Sequence, residues 1–145
     1  GANVELKPAP GRAAALVENS LRAIARAVRA GRGRPPPPPL LLSSTSRTIL
    51  DAVRRLAPEL PRGLVAHHVP RDWRSAAVRL GCASLHVSAP SLTPARVREI
   101  KSAGLWLAVF TVNDPRRAGI FWEWGVDSIF SDFPDLLLAA RRGCG

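Results

Sequence analysis

No stretch of this chain approaches the ~20 apolar residues of a membrane-spanning helix, because Arg or Pro interrupts every run. No charged-then-apolar leader opens it, so nothing marks it for export. Cysteine is nearly absent: Cys82 and Cys144 give neither a disulfide framework nor a metal-ligand spacing, and a reducing cytoplasm is the simplest home. Glycine-rich phosphate loops are missing too, with no GxGxxG and no P-loop lysine. Methionine is absent altogether, although a complete translation product begins with one. Asn3–Lys7 already alternates like a strand, so the expectation is the C-terminal portion of something longer.

The 145 residues, 46% of them hydrophobic, are enough for one domain with a sizeable core and exclude a disordered tail. The whole chain, 1–145, is therefore expected to be a single domain. Net charge is +10, carried by 19 Arg and only 2 Lys. Such a balance raises nucleic acid or an anionic surface as partner. The Arg residues are scattered over successive helices, and only Arg22, Arg26, Arg29, Arg32 and Arg34 cluster. No aromatics are interleaved with them, as a single-strand binder needs, so nucleic acid is disfavoured.

Short β-type runs alternate with helical segments. The runs are Asn3–Lys7, Leu40–Ser44, Gly63–His67, Ser84–Val87, Leu105–Val112 and Asp127–Ser131. From the second onward they recur every 21 to 23 residues, the period of βα units with short loops, which predicts a parallel sheet. Ala13–Ala30 places Val17, Leu21, Ile24 and Val28 on one helical face. Ser46 caps a helix carrying Ile49, Val53 and Leu56 that stops before Pro58. Asp72 caps Trp73–Leu80, and Gly81 ends it. Thr93-Pro94 and Asp114-Pro115 each read as an N-cap followed by Pro at the first helical position, with Val97 and Ile100 facing inward and Gly104 and Gly125 as terminators. Pro134–Arg142 is a last amphipathic helix through Leu137 and Leu138. The Pro35–Pro39 run reads as a stiff connection into the next strand, with a polyproline ligand as the alternative.

Six βα units in a row predict most of an eight-stranded barrel or an open doubly wound sheet. In a barrel the C-terminal strand ends build the site. Those ends offer Glu5 and Lys7, Ser43-Ser44-Thr45, His67-His68, His86-Val87-Ser88, Thr111-Val112-Asn113 and Ser131-Asp132. Period two puts Glu5 and Lys7 on one strand face. A carboxylate beside an ammonium suits a metal ion and a phosphate, and equally a buried structural ion pair. With no third ligand at fixed spacing, His67-His68 reads as a solvated loop pair. Trp106, Phe121, Trp122 and Trp124 are expected to fill the barrel–helix interface, and Cys82 to be structural. Asp127 anchors the turn into the last strand. Asp132 caps the final helix, with a catalytic role as the alternative.

Asn3-Val4-Glu5-Leu6-Lys7-Pro8 resembles the N-[IV]-E-[IL]-K-P signature of glycerophosphodiester phosphodiesterases. The resemblance continues through Leu41–Ser44, Ala57–Leu64, Asp72-Trp73-Arg74, Leu80–His86, Phe110–Asn113 and Trp124–Asp132, in the family's order and spacing. It implies α/β architecture: a TIM-type (β/α)8 barrel, here incomplete and covering about strands three to eight. It implies hydrolysis of glycerophosphodiesters to glycerol 3-phosphate and an alcohol, with a divalent cation, Ca²⁺ or Mg²⁺, and a cytoplasmic bacterial setting. Glu5 is then a metal ligand and Lys7 contacts the phosphate. Phe110 stands at the pocket wall where Trp or Tyr is usual, Asn113 follows in place, and His86 matches a substrate-touching residue on the sixth-strand loop.

The departures matter equally. The family's His-Arg-Gly, Glu-Asn-Thr and His-Asp motifs and its acidic pair are not in this chain, and with them go both catalytic histidines and the other metal carboxylates. Thr45 replaces the usual Phe after Ser-Ser, and Ser131 a common Thr. Three readings follow: a phosphodiesterase whose sequence here is incomplete, an inactive barrel fragment acting as a binding module, and an Arg-rich nucleic-acid binder. The chain as given is expected to lack activity. Its two unclosed sheet edges are expected to favour self-association.

Overall fold

The structure is a computed structural model that describes residues 1–8, 11–30 and 39–143. Arg32, Arg34, Cys144 and the polyproline run before Pro39 lie outside the described residues. Contacts divide the chain into two compact units, residues 1–65 with 78–82, and residues 66–77 with 83–145.

The first unit opens with β1 (Ala2–Glu5), α1 (Ala13–Ala30), β2 (Leu40–Ser44), α2 (Arg47–Leu56) and β3 (Arg62–Ala66, its last residue in the second unit). Its strands are parallel in chain order, with Glu5 level with Ser43, and Ser43 level with Gly63. The α1 apolar stripe is borne out: Val17 is fully buried, and Leu21 and Ile24 pack beside it on a core of Leu6, Leu42, Ile49, Ala52 and Val53. Val28, at the end of that stripe, is exposed. Ser46 Oγ accepts from the Ile49 amide and so fixes the start of α2. Leu56 is a correction: it is 51% exposed, because the core face of this ten-residue helix is already spent on Ile49, Leu50, Ala52 and Val53.

Arg62 opens β3 and is only 7% exposed. Its guanidinium pairs with no carboxylate among the described residues; it donates to the carbonyls of Leu80 (3.1 Å), Pro58 (3.2 Å), Leu60 (2.8 Å), Gly81 (3.0 Å) and Ala57 (3.5 Å). One cation thereby satisfies the carbonyls of two separate turns, groups that are costly to leave unpaired once buried. Gly81 closes α3 (Trp73–Leu80) at φ +59°, and a Cβ there would stand 2.9 Å from Arg62 Nη2. The position requires glycine twice over, for its left-handed backbone and for the approach of the arginine.

The second unit holds most of β4 (Cys82–Ser88, Cys82 itself belonging to the first), α4 (Pro94–Ser102), β5 (Trp106–Phe110), α5 (Pro115–Glu123), β6 (Ser128–Ile129) and α6 (Pro134–Gly143). β4 to β6 are parallel in chain order. Thr93 and Asp114 cap α4 and α5 as expected, each followed by Pro at the first helical position. Leu85, Val87, Leu107 and Val109 are fully buried on one face, and Val97 and Ile100 of α4 are likewise buried. Asp127 anchors the entry to β6: its carboxylate accepts from the Leu107 amide (2.7 Å) and from Lys101 Nζ (2.6 Å).

Three expectations need correction in this unit. Trp106 is 55% exposed. Alternation turns it away from the Leu105–Leu107–Val109 face, and its ring lies under Lys101 Nζ at 6.0 Å, whereas Phe121 is buried as expected. Leu138 is exposed although Leu137 is buried: successive residues stand about 100° apart around a helix, and the buried side of α6 here is that of Leu137. The last strand is two residues long because the ladder with β5 pairs only Ala108 with Ser128 and Val109 with Ile129.

Candidate functional site

In the first unit the site residues lie at the C-terminal end of β1. Leu6 is buried in the helix-facing core, so alternation turns Glu5 and Lys7 to the opposite face. Both are exposed, which excludes the buried ion pair. Lys7 falls beyond the last ladder residue, Glu5, although the Leu6 amide still donates to the Ser43 carbonyl at 2.7 Å. On β2 the two serines diverge. Ser44 is buried on the helix side, where its hydroxyl donates to the Leu6 carbonyl (2.6 Å) and accepts from the Ser46 amide (3.1 Å). Ser43, one residue earlier, shares the face of Glu5. It is 1% exposed, and its hydroxyl has no hydrogen-bond partner among the described residues. An unpaired buried hydroxyl costs roughly 1–3 kcal/mol. Neither the face that Ser43 shares with Glu5, which depends on the register between the two strands, nor the orphaned hydroxyl was readable from the sequence.

In the second unit one face of β4 and β5 presents Ser84, His86 and Ser88 level with Trp106, Ala108 and Phe110. His86 lies within β4 rather than on the loop after it, and is 4% exposed. Its Nε2 shares a hydrogen bond with Ser84 Oγ at 2.9 Å, and its ring packs 5.5 Å from Phe130. Burial pushes the imidazole down to about 4, so at neutral pH it is uncharged. Phe110 closes β5 half-buried, with the exposed His67 ring edge-on at 5.8 Å. His67 and His68 are both exposed, as expected of a loop pair.

Asn113 ties the two strand ends together. Its Oδ1 accepts from Ser131 Oγ (3.0 Å) and from the Asp132 amide (2.9 Å), and its Nδ2 donates to Asp132 Oδ2 (2.9 Å). Asp132 thus directs its carboxylate to Asn113, while Ser131 Oγ accepts from the Phe133 amide at the entrance to α6. Cys82 bears out its structural reading: burial raises its thiol to about 11, against a partial lowering by the Arg62 charge. No group of three or more His, Cys, Asp or Glu side chains comes together among the described residues. No helix among them is long and apolar enough to cross a membrane.

A sequence profile of the Glycerophosphoryl diester phosphodiesterase family matches residues 35–136, a segment that begins beyond Glu5 and Lys7. The Bacillus subtilis (strain 168) glycerophosphodiester phosphodiesterase is 36% identical over 53 residues, 37% of this chain and 18% of that one. Among solved structures, an Oleispira antarctica phosphodiesterase in complex with the product sn-glycerol-3-phosphate matches with a TM-score of 0.88 at 31% identity, over 98% of this chain and 55% of that chain. The glycerophosphodiester phosphodiesterase of Parabacteroides distasonis ATCC 8503 matches with a TM-score of 0.78 at 21% identity, over 99% and 58%, a likeness of fold alone. The chain spans about half the length of these solved relatives. Its fold is the α/β fold of a TIM-type barrel, incomplete at six strands. With the profile covering well over half of its residues, the chain belongs to the glycerophosphoryl diester phosphodiesterase family.

Proposed function

We propose that the protein of which this sequence is part hydrolyses glycerophosphodiesters to glycerol 3-phosphate and an alcohol, with a place in glycerol and lipid metabolism. The observation that carries the reading is the likeness, over 98% of this chain, to a phosphodiesterase whose structure holds sn-glycerol-3-phosphate. A cytoplasmic location fits the free thiol of Cys82.

Glu5 would hold the divalent cation, Ca²⁺ or Mg²⁺, which when bound polarises the phosphoryl oxygens. The fit is that of a partial site: one exposed carboxylate stands beside an orphaned hydroxyl, and Mg²⁺ is commonly held by one or two carboxylates, waters and the substrate's own phosphate. Lys7, exposed on the same face, supplies a positive charge to the phosphate. His86, uncharged at neutral pH, serves as a hydrogen-bonding contact to the substrate and not as a cation. Phe110 forms an apolar wall. Asn113 has one Nδ2 hydrogen beyond its bond to Asp132 and offers it to the substrate from a side chain already held in place.

None of these groups is a free proton carrier, so the chain alone is expected to turn over nothing. A missing general acid or base is worth roughly 10²–10⁴-fold in rate. The test is to add Ca²⁺ or Mg²⁺ and glycerophosphocholine to the purified chain and to a protein expressed from the full reading frame that contains it, and to follow glycerol 3-phosphate. Release by the longer protein, lost in Glu5→Ala and Lys7→Ala, supports the reading. Release by the chain alone, abolished by Glu5→Ala, overturns its assignment as inactive; no release by either overturns the function.

A further inference from the structure

Ser43 carries a hydroxyl that the fold buries and leaves without a partner. Serines in strands ordinarily discharge the hydroxyl onto a nearby carbonyl, as Ser44 does on Leu6. Ser43 finds no such outlet among the described residues, and its own carbonyl accepts from the Leu6 amide. Of its two register neighbours, Gly63 has no side chain. The other is Glu5, one strand away on the same face and exposed. Paired strands stand ~4.8 Å apart, so a turn of the flexible Glu5 side chain brings its carboxylate onto the hydroxyl.

We propose that Ser43 is a positioning residue for Glu5, whose carboxylate accepts a hydrogen bond from the Ser43 hydroxyl when it turns from solvent to hold a divalent cation. The inference rests on the metal-ligand role given to Glu5 above. Unbound, the hydroxyl is a standing cost to the fold; with the carboxylate in place, that cost becomes orientation of a ligand that otherwise moves freely. Outer partners of this kind typically matter 10–100-fold in metal affinity. Stored cost at a functional site predicts opposite effects of one substitution on stability and on binding.

The experiment measures two quantities in the protein expressed from the full reading frame and in its Ser43→Ala, Ser43→Thr and Glu5→Gln variants: the urea midpoint without ligand, and binding of Mg²⁺ or Ca²⁺ alone by calorimetry. Ser43→Ala is expected to hold or raise the midpoint while weakening cation binding about tenfold. Ser43→Thr, which keeps the hydroxyl, is expected to restore binding. A lowered midpoint in Ser43→Ala would mark the hydroxyl as structural and overturn the proposal. If Glu5→Gln weakens binding and Ser43→Ala does not, the proposal falls while the metal role of Glu5 stands. If that protein binds neither cation, or Glu5→Gln leaves binding intact, both fall together.

Discussion

Two turns of the first unit share the guanidinium of Arg62, and its replacement sets a quantitative test. Four of its five carbonyl contacts lie between 2.8 and 3.2 Å, and the fifth is long at 3.5 Å. Hydrogen bonds to charged groups contribute about 1.5–3 kcal/mol each, and five added naively would rival the entire stability of a domain, about 5–15 kcal/mol. The sum is not the answer, because desolvating the cation offsets part of it and Nη1 shares its two hydrogens among three carbonyls. Arg62→Met strands the carbonyls of both turns and is expected to cost about 4 kcal/mol, since each buried carbonyl left without a donor costs about 1–3 kcal/mol and water reaches some of them. Arg62→Lys keeps the charge but reaches one turn only, either 57–60 or 80–81, and should cost about half as much. Every Trp of the chain lies in the second unit, so the assay is circular dichroism at 222 nm against urea. With a slope of about 2 kcal/mol per molar, the Met variant's midpoint drops by about 2 M and the Lys variant's by about 1 M. A Met variant within about 0.3 M of the parent, at unchanged slope, would show that water serves these carbonyls as well as the guanidinium does, and the clamp would have no energetic standing.

His86 makes stability pH-dependent: unfolded it holds its proton up to about 6.5, folded it releases it near 4, so stability falls as pH drops through that window, by roughly 3 kcal/mol when complete, and is fully present above it. Urea midpoints at pH 7 and pH 4.5 should converge in His86→Asn; an unchanged gap would place the acid sensitivity elsewhere. In a Cys144→Ser background Cys82 should alkylate with iodoacetamide at pH 8 about a hundredfold more slowly than an ordinary thiol, since its pKa near 11 leaves little thiolate, and rapid modification would contradict the burial. Among the described residues β1 pairs only with β2 and β6 only with β5, so sedimentation of the chain should show concentration-dependent oligomers; a monomer at all concentrations would show that the edges are protected.

Helix boundaries were largely legible, because their signals are local. The Thr93-Pro94 and Asp114-Pro115 caps and the Gly81 and Gly104 stops each act within one turn, and the expected Ala13–Ala30 and Trp73–Leu80 match the observed helices. Strand ends were less so. Leu105–Val112 shrinks to Trp106–Phe110, since a strand lasts only as long as its neighbour's ladder, which is not written in its own residues. Of the site, the shared face of Glu5 and Lys7 followed from period two. The burial of Arg62 did not, because its partners are backbone carbonyls up to nineteen residues away and carry no side-chain signature. The bonding of Asn113 to Ser131 and Asp132 was hidden for a different reason: it joins strand ends that only the fold brings side by side.

The return of residues 78–82 to the first unit has a consequence for synthesis on the ribosome. Arg62 leaves the exit tunnel long before the carbonyls of Leu80 and Gly81 that it needs. At about 5–20 residues per second, the interval between Val65 and Cys82 lasts about 1–3 s. Through that interval the nascent chain carries an arginine that has only the 57–60 turn to serve it, with Nε and Nη2 left to water, at the start of a strand destined for the interior. The first unit is therefore committed late, by five residues arriving after its own strands, and the timing of their emergence, more than the order of its helices, governs when it can fold.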